Sequence, residues 1–386
     1  MAWFLSKDVA LKWLEIPSLY NIGKDELYEL DDSAFEFLRR CAGRKGCSVV
    51  HDEFIDYCLE EGILTSETVR TARLPPEKSP VPSLRYLELQ VTDRCNLICR
   101  HCYIGDSRTH NELSLKQIRE VLTEFEQMQG LRVLITGGEP LMHSSFSEMN
   151  NMLPDFHLRK ILLTNGLLLT KSMISTINID EVQISIDGLE EAHEALRGKG
   201  SFSAALAAVR CCRDAGMEVS VSTMVHSKNL DDFDKMDRLF REEGIKDWTV
   251  DVPCPVGRLK ENSVFRITPE QGGKYLGYGY GEELHASSPG YGCGLHLMSV
   301  TAKGRVSKCT FYSDRAVGRI EDGLRECWKK ISPVRLDELA CDCEHIGTCR
   351  GGCRYRAEVL GDPKGKDLYK CFSYDIIRSR TEGRKP

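Results

Sequence analysis

The residues with the most chemistry to offer are the cysteines, seventeen in 386 residues, and their spacing sorts them. Cys95, Cys99 and Cys102 stand as C-x3-C-x2-C. Three thiolates on one loop hold three irons of a [4Fe–4S] cube and leave the fourth iron open to a substrate, whereas four cysteines saturate a zinc ion or an electron-transfer cluster. A zinc site completed by His101 or His110 is the other reading of that spacing. A second set follows far downstream: Cys293 and Cys309 with Gly304 between them, then Cys341, Cys343, Cys349, Cys353 and Cys371. The remaining seven are Cys41, Cys47, Cys58, Cys211, Cys212, Cys254 and Cys327. Cys58 falls on an apolar helix face and reads as core. Cys211 and Cys212 are helix neighbours about 100° apart and do not share a metal.

Composition narrows the class. Lys and Arg number 52 against 58 Asp and Glu, a net charge of −6, which argues against nucleic acid as partner. The chain is too long for a disulfide scaffold. Lys7, Asp8, Lys12 and Glu15 interrupt the first apolar stretch, so it is no secretory signal, and no apolar run reaches the ~18 residues of a membrane span. The expectation is a cytoplasmic protein in a reducing compartment, without a membrane partner.

The elements that must position these cysteines fall into three blocks. Residues 1–74 read as a small winged-helix-like domain. Leu19–Ile22 and Leu27–Leu30 form a hairpin around Gly23. One helix, capped by Asp32 or Ser33, carries Phe35, Phe37 and Leu38, and a second spans His51 to Glu61. A Pro-rich linker covers 75–82. Residues 83–255 alternate strand and helix. The strands are predicted at Tyr86–Val91, Arg132–Thr136, Lys160–Thr164, Glu181–Ile186, Glu218–Met224 and Asp247–Val252, with helices such as Ser114–Met128 and Ser203–Ala215, the latter capped by Ser201 or Ser203. Six βα units predict an α/β fold, a partial (β/α)6 TIM-like barrel with its chemistry at the C-terminal strand ends. Residues 256–386 form a Cys-rich domain with little periodicity.

The segment Val91-Thr92-Asp93-Arg94-Cys95-Asn96-Leu97-Ile98-Cys99-Arg100-His101-Cys102-Tyr103 resembles the radical S-adenosylmethionine (SAM) superfamily, with His101 where an aromatic residue is usual. Thr136-Gly137-Gly138-Glu139-Pro140 resembles that family's GGEP motif, whose strand edge and carboxylate hold the amino group of SAM. Leu163-Thr164-Asn165-Gly166 and Ser185-Ile186-Asp187-Gly188, followed by His193, Arg197 and Gly200-Ser201-Phe202, fit the same pattern over the whole second block. The resemblance implies SAM contacts at Gly137, Gly138, Glu139, Pro140 and Asn165, with Ser185 on the ribose and Arg197 on the carboxylate. It implies reductive cleavage of SAM on the open cube to a 5′-deoxyadenosyl radical, with flavodoxin or ferredoxin as electron donor.

The second cysteine set resembles the SPASM extension of these enzymes, departing once, where Cys341-Asp342-Cys343 has one intervening residue instead of two. The resemblance implies two auxiliary iron–sulfur clusters of the [4Fe–4S] type. One is held by Cys341, Cys343, Cys349 and Cys371; the other by Cys293, Cys309 and Cys353, with an open iron or a further ligand, for which Cys254 is a candidate. The N-terminal block looks like a RiPP recognition element, which binds the leader of a ribosomally made, post-translationally modified peptide as an added strand. The implied function is peptide maturation: hydrogen abstraction from a precursor peptide leading to a thioether, C–C or C–O cross-link, or an oxidation. Alternatives are a small-molecule substrate such as a tetrapyrrole, sulfatase-type protein maturation, and a zinc-stabilised binding module. Sulfatase-maturing enzymes carry an Asp base where this chain has Thr310. No catalytic proton acceptor is therefore assigned, although Tyr312 and Asp314 lie close in sequence.

Overall fold

The computed structural model describes residues 2–48, 51–69, 75–105, 110–281, 285, 290–292 and 296–375. Cys293, one expected ligand, and Leu74, at the expected domain boundary, lie outside the described residues.

The first block holds more strand than its hairpin signal suggests. Strands β1 (Ala2–Leu5), β2 (Val9–Trp13), β3 (Pro17–Asn21) and β4 (Glu26–Glu29) precede helix α1 (Asp32–Cys41), the short strand β5 (Cys47–Ser48), α2 (Glu53–Glu60) and the short strand β6 (Leu64–Thr65). β2, β3 and β4 make an antiparallel sheet with β4 at one edge; β1 pairs with β5 and β6. The cap of α1 is Asp31, not Asp32 or Ser33: its extended backbone lets the carboxylate accept from Ala34 N at 2.8 Å. Leu5, Leu19, Phe35, Leu38, Ile55 and Cys58 close a separate small core.

All six predicted barrel strands are present: β7 (Tyr86–Thr92), β8 (Arg132–Gly137), β9 (Arg159–Thr164), β10 (Glu181–Ser185), β11 (Glu218–Met224) and β12 (Asp247–Asp251). They lie parallel in sequence order, as successive βα units require. The intervening helices are α3 (Leu115–Gln127), α4 (Phe146–Met152), α5 (Lys171–Ile174), α6 (Glu190–Arg197), α7 (Ser201–Asp214) and α8 (Phe233–Glu242). Ser114 caps α3 with a reciprocal bond from Gln117. α7 starts two residues before its predicted first turn. Gly200, in left-handed backbone, takes the cap position, and the hydroxyls of Ser201 and Ser203 donate to Gly198 O and Gly200 O instead of capping. The sheet continues past β7 into the Cys-rich block, where β13 (Leu297–Val300) runs parallel to β7 and is followed by antiparallel β14 (Arg305–Ser307) and β15 (Gly318–Arg319). Leu87, Leu89 and Val91 face the helices in the main core with Ile118, Leu122 and Phe125.

Charged first residues of the strands close the barrel's lower end. Arg132 Nη2 lies 2.6 Å and Arg159 Nε 3.2 Å from Asp25, which the β3–β4 turn inserts from the N-terminal sheet. Arg159 also reaches Glu181 at 3.1 Å and Glu218 at 2.5 Å. Lys12 Nζ donates to Gly130 O at 2.7 Å, and Glu15 accepts from Arg85 at 2.7 Å and from Ser83 N at 2.7 Å. The linker is tied down too, with Ser79 N on Trp13 O and the Trp328 indole on Pro82 O. The first block is thus fused to the barrel by buried polar contacts. Burial alone would raise the Asp25 carboxyl, but His285 and the guanidinium groups of Arg132 and Arg159 overcome it and hold the group at about 2.

Removing Asp25 leaves two buried guanidinium groups short of a counter-charge. Asp25→Ala is expected to lower stability in urea titration by about 3–5 kcal/mol at neutral pH. The folded carboxyl titrates below its unfolded value of about 3.9, so its stabilisation is whole above that pH and fades as pH falls towards 2. The gap between wild type and variant should shrink over that interval.

Candidate active site

The cysteine loop leaves β7 at its C-terminal end, where a register shift between Gln90 and Thr92 lets the chain turn out of the sheet. Cys95 is exposed, and Cys99 and Cys102 are half-buried. The loop has little regular structure and is held by backbone. Glu139 N donates to Arg94 O at 2.7 Å and Gly138 N to Thr92 O at 2.8 Å; Arg100 N donates to Leu196 O at the end of α6, and Arg258 N to Cys102 O at 3.0 Å. Two of these approaches admit no side chain. A Cβ on Gly138 would stand 2.3 Å from Arg94 O, and one on Gly257 2.2 Å from Cys102 O, where φ is +51°.

Glu139 is fully buried and spends its carboxylate on the next strand end. It accepts from Thr164 Oγ1 at 2.8 Å, Asn165 N at 2.9 Å and Leu141 N at 3.3 Å. Burial pushes its carboxyl up to about 7 against the lowering effect of those bonds. Asn165 then reaches the cysteine loop, its Nδ2 donating to Asn96 Oδ1 at 2.7 Å. The GGEP stretch, including Pro140 in the short helical turn Pro140–Met142, therefore works as a brace linking β8, β9 and the loop. Ser185, the last residue of β10, is half-buried and in register with Ser222.

Beneath the loop lies a buried charge cluster. Asp187 Oδ2 is 2.5 Å from Arg197 Nε and 3.8 Å from His101 Nε2, and Oδ1 accepts from Met224 N at 2.7 Å. Arg197 is no solvated helix-end charge: its side chain is mostly buried, within electrostatic reach of Cys99 and Cys102. Desolvation opposes the charged form of Asp187, yet Arg197 and the histidines hold the carboxyl far below the usual range. Burial lowers His101 to about 4 and His193 to about 3. His193 Nδ1 accepts from Asp187 N at 3.0 Å, and His226 Nε2 donates to Asp187 O at 2.9 Å. His101 turns towards Asp187, so the zinc reading loses that ligand. Among the described residues His101 Nδ1 and His193 Nε2 are buried without a hydrogen-bond partner, polar atoms of the kind that a bound group commonly satisfies.

The donor chemistry fits an iron–sulfur cube. Among the described residues no three Cys, His, Asp or Glu side chains converge as a single-ion site needs; a cube instead spreads its thiolates over separate irons. Gly137, Gly138, Glu139, Pro140, Asn165, Ser185 and Arg197 all lie at the same end of the sheet as Cys95, Cys99 and Cys102. Asn96, Gly257 and Arg258 were not legible as site residues. The last two come from the far side of the barrel, and no spacing announces them.

The second cysteine set divides in space. Cys341, Cys349 and Cys371 are within electrostatic reach of one another and Cys343 of Cys341. Apart from these, Cys254, in the loop after β12, is buried and its thiol donates to the Cys353 sulfur, which pulls the Cys353 thiol down. Arg356 fixes this meeting: it pairs with Asp251 at the end of β12 and lies 2.9 Å from Asp367, which accepts from Cys353 N at 2.8 Å. Tyr312 lies within reach of both Cys309 and Cys353.

Residues 89–240 match the family model described as the radical SAM superfamily. Among curated proteins, the chain is 26% identical over 331 residues to an AdoMet-dependent heme synthase of Oleidesulfovibrio alaskensis, covering 72% of this chain and 84% of that one. It is 28% identical over 313 residues to the mycofactocin maturase MftC of Mycolicibacterium smegmatis, covering 72% and 80%. Among solved structures, Streptococcus suis SuiB, crystallised with its precursor peptide SuiA, shares the fold at a TM-score of 0.67 and 14% identity over 95% of this chain and 98% of that one. The barrel of this chain carries a radical SAM domain, matched over residues 89–240, with a cysteine-rich block beyond it.

Proposed function

We propose that this radical SAM enzyme modifies a ribosomally made precursor peptide, and that the N-terminal sheet is where the peptide's leader docks. The observation that carries the reading is the edge of β4. Among the described residues β4 pairs only with β3, so its outer row of N–H and C=O groups is open to an added strand. α2 flanks that edge: Glu61, just past its end, holds Lys24 at 2.5 Å and lies 3.4 Å from the Tyr28 hydroxyl on β4. Phe54 and Tyr57 on α2 stay exposed at 38% and 45%. An open strand edge beside exposed aromatic side chains gives a peptide backbone bonds on one side and apolar pockets on the other. The similarity to a heme synthase keeps a tetrapyrrole as the second reading; such a molecule has no use for a strand edge.

Within this reading Cys95, Cys99 and Cys102 hold the cube, and Gly137, Gly138, Glu139, Pro140, Asn165, Ser185 and Arg197 form the surround in which SAM lies. The loaded cube supplies a 5′-deoxyadenosyl radical; the electron comes from a flavodoxin or ferredoxin in the cytoplasm. Arg197 offers a planar guanidinium to a carboxylate, with Asp187 fixing its orientation, and the Glu139–Asn165–Asn96 chain keeps the loop in place. Cys341, Cys343, Cys349 and Cys371 hold one auxiliary cluster. Cys309, Cys353 and Cys293 hold the other, with Cys254 as its fourth ligand, since its thiol already meets Cys353.

Anaerobically reconstituted protein should contain about twelve irons, three cubes of four. Replacing Cys95, Cys99 and Cys102 together should abolish 5′-deoxyadenosine formation from SAM and dithionite and leave about eight irons; Cys254→Ser in that background should lose iron from the auxiliary set. Gly257→Ala, which forces a methyl against Cys102 O, should lower iron content and SAM cleavage together. Zinc in place of iron and sulfide would overturn the whole reading.

Genome inspection for a short peptide gene beside this one supplies the probe, and leader docking is then tested by fluorescence anisotropy with that labelled peptide. Phe54→Asp with Tyr57→Asp should weaken binding at least about tenfold, the factor that 1.4 kcal/mol gives. Point variants are required, because deleting the N-terminal block would strip Asp25 from Arg132 and Arg159. A tetrapyrrole substrate together with no peptide binding would replace the peptide reading by the second one.

A further inference from the structure

Side chains on β7 alternate between the helix-side core and the barrel interior. Tyr86, Glu88 and Gln90 share the interior face. Tyr86 closes the lower end under the Arg132 guanidinium, and Gln90 Nε2 lies 3.3 Å from the Tyr103 hydroxyl, one residue beyond Cys102. Between them, Glu88 Oε2 accepts from Thr310 N at 3.0 Å and from Thr310 Oγ1 at 2.5 Å, with a further bond from Ser299. Thr310 directly follows Cys309, and the Tyr103 hydroxyl lies within electrostatic reach of both Glu88 and Cys102. One carboxylate thus stands between the segment leaving the first cysteine set and the segment leaving the second.

Among the described residues its charge is uncompensated. Glu181 and Glu218 pair with Arg159, and Asp187 with Arg197; among the described residues no Arg, Lys or His pairs with Glu88. Burial raises its carboxyl above the usual range, outweighing its hydrogen bonds. A half-buried interior carboxylate held only by neutral donors is a poor structural element. On the interior face of β7, beside the segments that leave the two cysteine sets, it is poised to gain a proton.

We propose that Glu88 is the proton acceptor of the reaction, taking the proton the substrate gives up once its hydrogen atom has been abstracted. The proposal rests on the peptide reading of the site. When the new bond is to sulfur or oxygen, a substrate C–H bond breaks and its hydrogen atom passes to the 5′-deoxyadenosyl radical. The S–H or O–H bond then breaks, its electron pair forms the bond to the radical carbon, and its proton goes to Glu88. The surplus electron reduces an oxidised iron–sulfur cluster of the second cysteine set. The position after Cys309 carries a threonine, whose hydroxyl orients the carboxylate that β7 provides.

The test compares wild type, Glu88→Gln and Glu88→Asp as reconstituted holoenzymes on the precursor peptide that the leader-docking assay identifies. Gln still accepts a bond from Thr310 but takes no proton. Product formation should fall about 10²- to 10⁴-fold in Glu88→Gln, product per 5′-deoxyadenosine should drop, and the acid limb of the wild-type pH–rate profile should vanish. Glu88→Asp should recover part of the rate and keep that limb. Equal rates, an unchanged product ratio and a retained acid limb in Glu88→Gln with wild-type iron content overturn the proposal and leave the radical reading standing. A wild type that cleaves no SAM overturns both. If a tetrapyrrole proves to be the substrate, the proposal is overturned together with the peptide reading.

Discussion

The site depends on one constraint, backbone meeting backbone around a loop that has little secondary structure of its own. The cysteine loop cannot be held by a core, because its thiols must stay available. Amide hydrogen bonds from the end of β8 and from the turn at Gly257 hold it instead, at distances that exclude a Cβ. Everything else follows from that grip. Glu139 is buried because the strand end it belongs to is pulled onto the loop, and its carboxylate then finds Thr164 and Asn165 on the next strand. Asn165 returns to Asn96, so three consecutive crossovers are locked around the thiols. A metal cluster needs this preorganisation, since its ligands contribute affinity only when held in register.

The two ends of the barrel carry different work. The upper end presents the cysteine loop, the buried Asp187–Arg197 pair and the meeting of Cys254 with Cys353. The lower end is a plug of paired charges that fuses the N-terminal sheet to the strands. β7 alone, at seven residues, spans about 23 Å at about 3.3 Å per residue. A peptide seated on β4 must run at least that far to present a side chain to the site, or about seven extended residues. The charge plug makes this separation fixed, because rotating the sheet would unpair Asp25, Arg132 and Arg159 inside the protein. On the proposed leader docking, recognition by this route would select the leader and set a minimum spacing, and the barrel interior would select the residue modified.

What the sequence disclosed, and what it hid, divides along the range of the interaction. Strand alternation and helix periodicity are local, and all six barrel strands were legible from them, as was the loop from its cysteine spacing. The lower plug was not. Arg132, Arg159, Glu181 and Glu218 each open a strand and read singly as solvated charges; only the parallel register brings them to one plane. Ser203 looked like a helix cap because serine caps helices, yet the glycine-rich turn before it starts α7 earlier. β1 and β2 were missed because their apolar runs carry no turn signal as clear as the one at Gly23. Gly257 and Cys254 act across about a hundred residues of sequence or more, where no pattern in one chain connects them to Cys102 or Cys353.

The same contrast bears on how charge is distributed inside the barrel. A fold selected for stability alone pairs its interior ions or replaces them with apolar side chains, and the lower layer and the Asp187 cluster follow that rule. Glu88 departs from it, one layer above the plug, on the strand from which the cysteine loop springs. Leu134, its register partner on β8, shows that an apolar side chain fits that layer. Ser299, its partner on β13, and Thr310 supply hydroxyls, which orient a carboxylate without neutralising it. Neutral hydrogen bonds in place of a counter-ion leave the group able to change protonation state at modest free-energy difference, which an ion pair with arginine would forbid. The departure therefore marks where the interior gives up stability for chemistry.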